Sequence, residues 1–215
     1  MTQVLVIGAH GKIALLAERL LVEEGQAVTG VVRNPDHADD VRATGAAVAV
    51  ADVEHLDTAA LTELVSGFDT VVWSAGAGGG SPERTYAVDR DAAIRTVDAA
   101  AAAGVQHVVM VSYFGAGPDH GVPSDNSFFA YAEAKTAADA HLEAAPVGWT
   151  ILRPSTLTDG PEGGIAADDA EGREVSRATV ARVVATVVAE RAAATGRVIT
   201  FNDGDQDVAR VVTGG

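Results

Sequence analysis

Tyr131 and Lys135 stand four residues apart in the run FAYAEAKTAADA, and that interval puts two side chains on one face of a helix. A phenol with an ordinary pKa of about 10 gives up its proton slowly at neutral pH. An ammonium one turn away favours the phenolate, and so makes the tyrosine a usable acid/base. Lysine is scarce in this chain, with only Lys12 and Lys135 against 13 arginines. Where composition otherwise prefers arginine, a retained lysine suggests a need for an ammonium of adjustable pKa. Near the N-terminus, VLVIGAHGKIA sets Gly8, Gly11 and Ala14 in a G-x-x-G-x-x-A pattern. Such a pattern gives a tight turn, close backbone approach to a pyrophosphate and a small residue where helix meets strand. The N–H groups at the start of the helix then face the anion, which makes Gly8, His10, Gly11, Lys12 and Ile13 the candidate phosphate loop.

Such residues act together only if regular elements hold them, and the chain supplies these in alternation. Short β-branched runs at 3–8, 27–33, 46–52, 69–76, 105–112 and 147–154 alternate with alanine-rich segments of helical period at about 12–24, 58–67, 84–103 and 127–145. Nearly all-apolar strands separated by helices predict a parallel sheet covered on both faces. Six such units fit an α/β, doubly wound dinucleotide-binding sheet, the Rossmann fold, with strand order 3-2-1-4-5-6. No internal repeat or linker divides residues 1–215, so we expect one domain. Its residues 155–215 are expected to form a small substrate-side lobe, with a Gly/Asp/Glu-rich stretch at 155–175, a helix at 178–193 and a strand at 197–202.

The end of the second strand bears on the cofactor. A fold preferring NAD places an acid there for the ribose 2′-OH, whereas VVRNP offers Arg33 and no acid until Asp36. An arginine suits the 2′-phosphate of NADP. A solvated strand-end arginine is the alternative, and with it NAD. Asp52, followed by Val53, closes the third strand where adenine would lie. SAGAGGG at 74–80 follows the fourth strand, and Ser74, Ala75 and Gly76 are expected to pass the cofactor's ribose.

In order and spacing, GAHGKIA, VVRNP, ADV, SAGAG, VVMVS and YAEAK resemble an atypical or extended short-chain dehydrogenase/reductase. The nearest resemblance is to the small NAD(P)-binding proteins of the NmrA-like and flavin/biliverdin reductase-like kind. It covers residues 3 to about 200. It implies that Ser112, at the end of strand five, hydrogen-bonds a reacting carbonyl, and that Tyr131 and Lys135 are the acid/base and its modulator. Lys135 would also hold the nicotinamide ribose. Asp89 falls where relatives place a polar residue, and Pro154 resembles the proline that shapes the nicotinamide pocket. The implied activity is NADP-dependent hydride transfer to a small carbonyl, quinone or flavin-like substrate. An NAD(P)-dependent epimerase/dehydratase and a non-catalytic NADP(H)-binding redox sensor are the alternatives. The chain is about a hundred residues shorter than sugar-nucleotide epimerases and lacks most of their substrate domain.

Composition narrows the remaining classes. Hydrophobic residues make up 47% and charged residues 21% of the chain, as in a globular protein with a generous core. A net charge of −15 without any Lys/Arg cluster argues against nucleic acid and anionic membranes. There is no cysteine, hence no disulfide or thiol chemistry. The six histidines show no metal-ligand spacing. No signal-peptide pattern or membrane-length apolar run appears, so a cytoplasmic monomer or homodimer acting on a small molecule is expected. His10 either touches the pyrophosphate or is solvated. The Gly/Pro-rich segment 113–127 has the character of a lid, in which Tyr113 and Phe114 line a pocket or pack beneath. Arg173 and Arg177 meet an anionic substrate or pair with Asp168, Asp169 and Glu171.

Overall fold

The computed structural model describes residues 1–78, 81–167, 169 and 171–215. In chain order the elements are β1 (Gln3–Ile7), α1 (Lys12–Glu23), β2 (Ala27–Val32), α2 (Ala38–Arg42), β3 (Ala47–Val50), α3 (Thr58–Val65), β4 (Thr70–Trp73) and α4 (Pro82–Thr85). They continue with α5 (Ala93–Ala103), β5 (His107–Val111), α6 (Phe129–Ala144), β6 (Gly148–Pro154), β7 (Thr156–Thr158), β8 (Gly164–Ala167) and β9 (Glu174–Ser176). The last are α7 (Arg177–Ala189), α8 (Arg191–Ala194), β10 (Arg197–Gly204) and α9 (Val208–Thr213). A π-helical stretch, Tyr86–Ala92, joins α4 to α5, so the helix expected at 84–103 is one rod with a widened turn at Asp89. Among the described residues no helix is long and apolar enough to cross a membrane.

The main sheet runs β3-β2-β1-β4-β5-β6-β10-β8. The order 3-2-1-4-5-6 expected from the sequence is present, with every pair among those six strands parallel. The C-terminal segment, expected as a small lobe continuous with the main domain, is joined to it through the sheet. β10 adds parallel to β6, and β8 pairs antiparallel with β10, so most of the segment extends the sheet. Only β7 and β9 form a small sheet of their own.

The period-2 alternation of strand side chains divides the core into two layers. Val4 and Val6 of β1 face the layer made with Ala14, Ala17 and Leu21 of α1 and Val180, Val184 and Val188 of α7. Leu5 and Ile7 face the opposite layer, with Leu61 and Val65 of α3, Val97 of α5 and Leu142 of α6. Fully burying each aliphatic side chain is worth about 1.5–3 kcal/mol. Two full layers fix the sheet rigidly, and every loop at its carboxyl edge inherits that rigidity. The described loops that follow β1, β2, β3, β4 and β5 all contribute to the cavities described next.

Candidate active site

The turn after β1 is shaped by Gly8. Its φ is +86°, and a Cβ there would lie 2.6 Å from the backbone of Ala75, so only glycine lets the β1 and β4 loops touch. Gly11 precedes α1 in extended conformation, and no side chain caps the first turn of that helix. The N–H groups of that turn therefore remain open to an anion. Beside them lies a cleft of about 480 Å³, lined by Gly8, His10, Gly11, Arg33, Asp52, Val53, Ser74, Ala75 and Gly76. Gly79 and Gly80, which complete the sequence run SAGAGGG, lie outside the described residues.

Three cleft residues carry no clear signal in the sequence. Glu54 lies 3.6 Å from both Arg33 and Arg84, and Arg84 also donates to the carbonyl of Ala77. His37 stacks on His10 with ring centroids 3.7 Å apart, while His10 bonds Asp40 of α2 at 2.9 Å. Asp52 accepts from the backbone N–H of Glu54 and pairs with His55. Ile13 is buried in the core, so only its backbone N–H faces the loop. Lys12 turns away to Asp159, 3.2 Å distant, and Arg177 reaches the same carboxylate at 2.7 Å.

At the carboxyl ends of β5 and β6, α6 presents Tyr131, Lys135 and Asp139 at successive four-residue intervals. Lys135 is fully buried, and its Nζ donates to the carbonyl of Val111 at 2.7 Å. Ser112 donates its proton to Asp139 Oδ2 at 2.8 Å. Arg153 of β6 donates to the same oxygen at 3.1 Å. Across from them, Asp89 in the π turn accepts from Ala77 N–H at 2.9 Å, while its Oδ1 has no partner among the described residues. Desolvation dominates the protonation of this cluster. It pushes Asp89 and Asp139 up and Lys135 down, each opposed by attraction between the ammonium and the carboxylates.

Tyr131 corrects an expectation. Its phenol is pushed up rather than down, first by burial, then by Asp89, Tyr113 and Asp139. Asp89 and Asp139 also lie near the Lys135 ammonium. The phenol therefore keeps its proton at neutral pH. Its ring borders two cavities. One, of about 300 Å³, contains Asp89, Thr85, Ala130 and Phe128 in its wall. The other, a chamber of about 360 Å³, adds Ser112, Tyr113, Phe114, Pro154 and Ser155.

The glycine cradle, the open helix end and the cleft across strands β1, β2 and β4 fit a dinucleotide. Residues 8–191 match a family model described as NAD(P)H-binding. The chain belongs to the NAD(P)H-binding family. It is 30% identical over 98% of both chains to the Bacillus subtilis protein called "Uncharacterized sugar epimerase YhfK". A provisionally named NAD-dependent epimerase/dehydratase from Bacillus halodurans superposes over the full length of both chains, with a TM-score of 0.91 and 29% identity. ChuY, an anaerobilin reductase from Escherichia coli O157:H7, shares the fold, with a TM-score of 0.76 and 24% identity over 96% of this chain and 99% of its own. Homologues in this NAD(P)H-binding group are oxidoreductase- and epimerase-like enzymes.

Among the residues assigned by sequence to cofactor binding and catalysis, the structure gathers all but Lys12, Ile13 and Lys135 onto the walls of these cavities. Lys135 lies behind Tyr131 without lining a cavity. Tyr113 and Phe114 line the chamber, as the lid character of 113–127 allowed. Arg173 pairs with Asp169 at 2.7 Å; Asp168 lies outside the described residues. Asp139, Arg153 and Ser155 were missed, although Asp139 continues the spacing of Tyr131 and Lys135 by one more turn.

Proposed function

We propose that the protein is an NADP-dependent oxidoreductase of the Ser-Tyr-Lys type that transfers a hydride to a small carbonyl, quinone or flavin-like substrate. The observation that carries the reading is Tyr131, a neutral phenol in the chamber wall, one turn from a buried lysine and beside a cleft with a glycine cradle. A bound nicotinamide would supply the hydride. Tyr131 donates its proton to the substrate oxygen as negative charge develops there, and solvent restores it. Lys135 lies one turn behind the phenol, its Nζ held at the Val111 carbonyl, with Asp89 and Asp139 near its charge.

Ser112 takes a modified role in this reading. Its single proton is committed to Asp139, so it offers lone pairs to the chamber. It is then suited to accept from the hydroxyl of the reduced product, while the carbonyl form draws its donor from Tyr131. Arg33, with Arg84 beyond Glu54, supports a 2′-phosphate at the adenosine end, and hence NADP over NAD.

The test is Tyr131→Phe assayed for NADPH oxidation against aldehydes, quinones and flavins. Turnover should fall about 100- to 10,000-fold, as for loss of a general acid, with the NADPH dissociation constant unchanged by fluorescence titration. Undiminished turnover removes Tyr131 from the mechanism.

A further inference from the structure

A dinucleotide fold that takes NAD sets an acid at the end of its second strand for the ribose 2′-OH, and here Arg33 holds that place. Two acids nevertheless line the cleft beside it, Asp52 and Glu54. Asp52 spends its oxygens on its own loop. Its Oδ1 accepts the Glu54 N–H at 3.2 Å, and its Oδ2 meets the His55 ring at 3.1 Å. Glu54 is tied only through its backbone, since its N–H goes to Asp52 and its carbonyl accepts from Arg95 Nη2 at 2.9 Å. The main chain is thus fixed, while the carboxylate stands in the cleft wall with 18% of its side chain exposed.

That carboxylate lies between two cations. Its Oε2 is 3.6 Å from Nη1 of Arg33 and 3.6 Å from Nε of Arg84. Both contacts end on the same oxygen, and both are longer than a hydrogen bond, so the pairing is loose and an incoming anion can displace it. Arg84 is steadied separately, by donating Nη1 to the Ala77 carbonyl at 3.0 Å. Arg33 follows β2, Glu54 lies in the loop after β3 and Arg84 belongs to α4, so the three meet only in the folded chain. The seat between the guanidinium groups suits a phosphate monoester. Such a group carries more charge than a carboxylate and has three terminal oxygens to share between two forks.

We propose that Glu54 sets the choice between the two nicotinamide cofactors: it occupies the seat of the 2′-phosphate, yields it when NADP(H) enters, and accepts the ribose 2′-OH when NAD(H) enters. This rests on the dinucleotide reading of the cleft and deepens the NADP assignment above. Arg33 and Arg84 favour the phosphate. Glu54 opposes it, by competing for both arginines and by repelling the phosphate charge, and it supplies the acceptor that NAD(H) needs. Discrimination is then a balance of one carboxylate against two guanidinium groups, and neutralising the carboxylate tips it.

The experiment is fluorescence titration of the full chain with NADPH and, separately, NADH, for the parent and Glu54→Gln, each with and without Arg33→Gln. Glu54→Gln should tighten NADPH about 3- to 30-fold, for release of one or two exposed ion pairs. It should weaken NADH about 3- to 10-fold, the difference between a charged and a neutral acceptor. In the Arg33→Gln background the gain for NADPH should shrink. Glu54→Ala removes charge and acceptor together, should shift the two affinities in the same opposite directions, and serves if the glutamine variant folds poorly. An NADPH affinity that does not tighten, or an NADH affinity that does not weaken, overturns the proposal, because a carboxylate that only ties the loops together acts on both cofactors alike. A gain for NADPH that Arg33→Gln leaves intact overturns it also. If the parent binds NADH more tightly than NADPH and Glu54→Gln reverses the order, the Glu54 assignment stands and the NADP preference falls. If NADPH leads in the parent and Glu54→Gln changes neither affinity, the preference stands and the Glu54 assignment falls.

Discussion

Replacing Glu18 by glutamine should remove a pH dependence from the protein's stability, so that the order of variant and parent reverses between pH 5 and pH 7.5. Glu18 lies on α1, wholly buried against the β2 side of the sheet, where a Cβ on Gly30 would come within 3.0 Å of its Oε1. That oxygen has no hydrogen-bond partner. Its other oxygen lies 3.3 Å from Thr44 Oγ1, but the single proton of Thr44 already goes to the Val41 carbonyl at 2.7 Å. The contact is therefore a hydrogen bond only if the carboxyl carries the proton and donates it. Burial accordingly raises the group from 4.5 to about 8. The unfolded chain loses this proton near 4.5 and the folded chain keeps it to about 8. Stability contributed below 4.5 is thus lost progressively as pH rises through that window, at about 1.4 kcal/mol per pH unit. The total ceiling is about 5 kcal/mol, and about 4 kcal/mol is already lost at pH 7.5.

A glutamine at position 18 is isosteric and can donate to Thr44 in the same way. It leaves one further amide proton unpaired, at a cost of about 1–3 kcal/mol. Glu18→Gln should therefore be the less stable protein at pH 5, by about 0–2 kcal/mol, and the more stable at pH 7.5, by about 1–3 kcal/mol. Urea denaturation at pH 5, 6, 7 and 8, followed by far-ultraviolet circular dichroism, measures the difference. A difference that does not change with pH would refute the protonated-carboxyl reading. The same titration bears on function, since α2 packs beside Glu18 and carries the Asp40 that holds His10 in the phosphate loop.

Three further outcomes follow from the site. Gly8→Ala places a Cβ 2.6 Å from the Ala75 backbone at a φ of +86°; NADPH affinity by fluorescence titration should fall at least about 100-fold, since the loop must open to admit it. Arg33→Gln should weaken NADPH about 10- to 100-fold, the range for a hydrogen bond to a charged group, and leave NADH unchanged; equal losses for both cofactors would remove the arginine from the 2′-phosphate. Asp139→Asn removes the carboxylate shared by Ser112 and Arg153, and should cost about 3–5 kcal/mol in urea denaturation, as for breaking a buried pair; an unshifted midpoint would show that the pair is not stabilising.

The sheet was legible because its signals are local and redundant. Each strand is an apolar run of the right length, and Gly8 and Gly11 sit where a strand-to-helix turn needs them. The place of the C-terminal strand in the sheet was not, because nothing local tells which neighbour such a strand pairs with. RVITFN of β10 reads alike beside any neighbour, and only its pairing with β6 decides.

Charge balance was the other thing hidden from sequence. Tyr131 and Lys135 are read correctly as neighbours on one helix face, but the phenol's upward displacement comes first from its burial and then from the carboxylates that tertiary packing brings near it. Asp89 reaches the Lys135 ammonium from the π turn, 46 positions earlier in the chain. Asp139 reaches it from the next turn of α6, and through Ser112 it also takes the proton that a carbonyl donor would need. Asp139 thus bears on both Tyr131 and Ser112: it adds, after burial, Asp89 and Tyr113, to what keeps the phenol protonated, and it takes the Ser112 proton. In the function proposed above, a protonated phenol serves the direction in which the chamber receives a carbonyl, which is why reduction is the assay to run first.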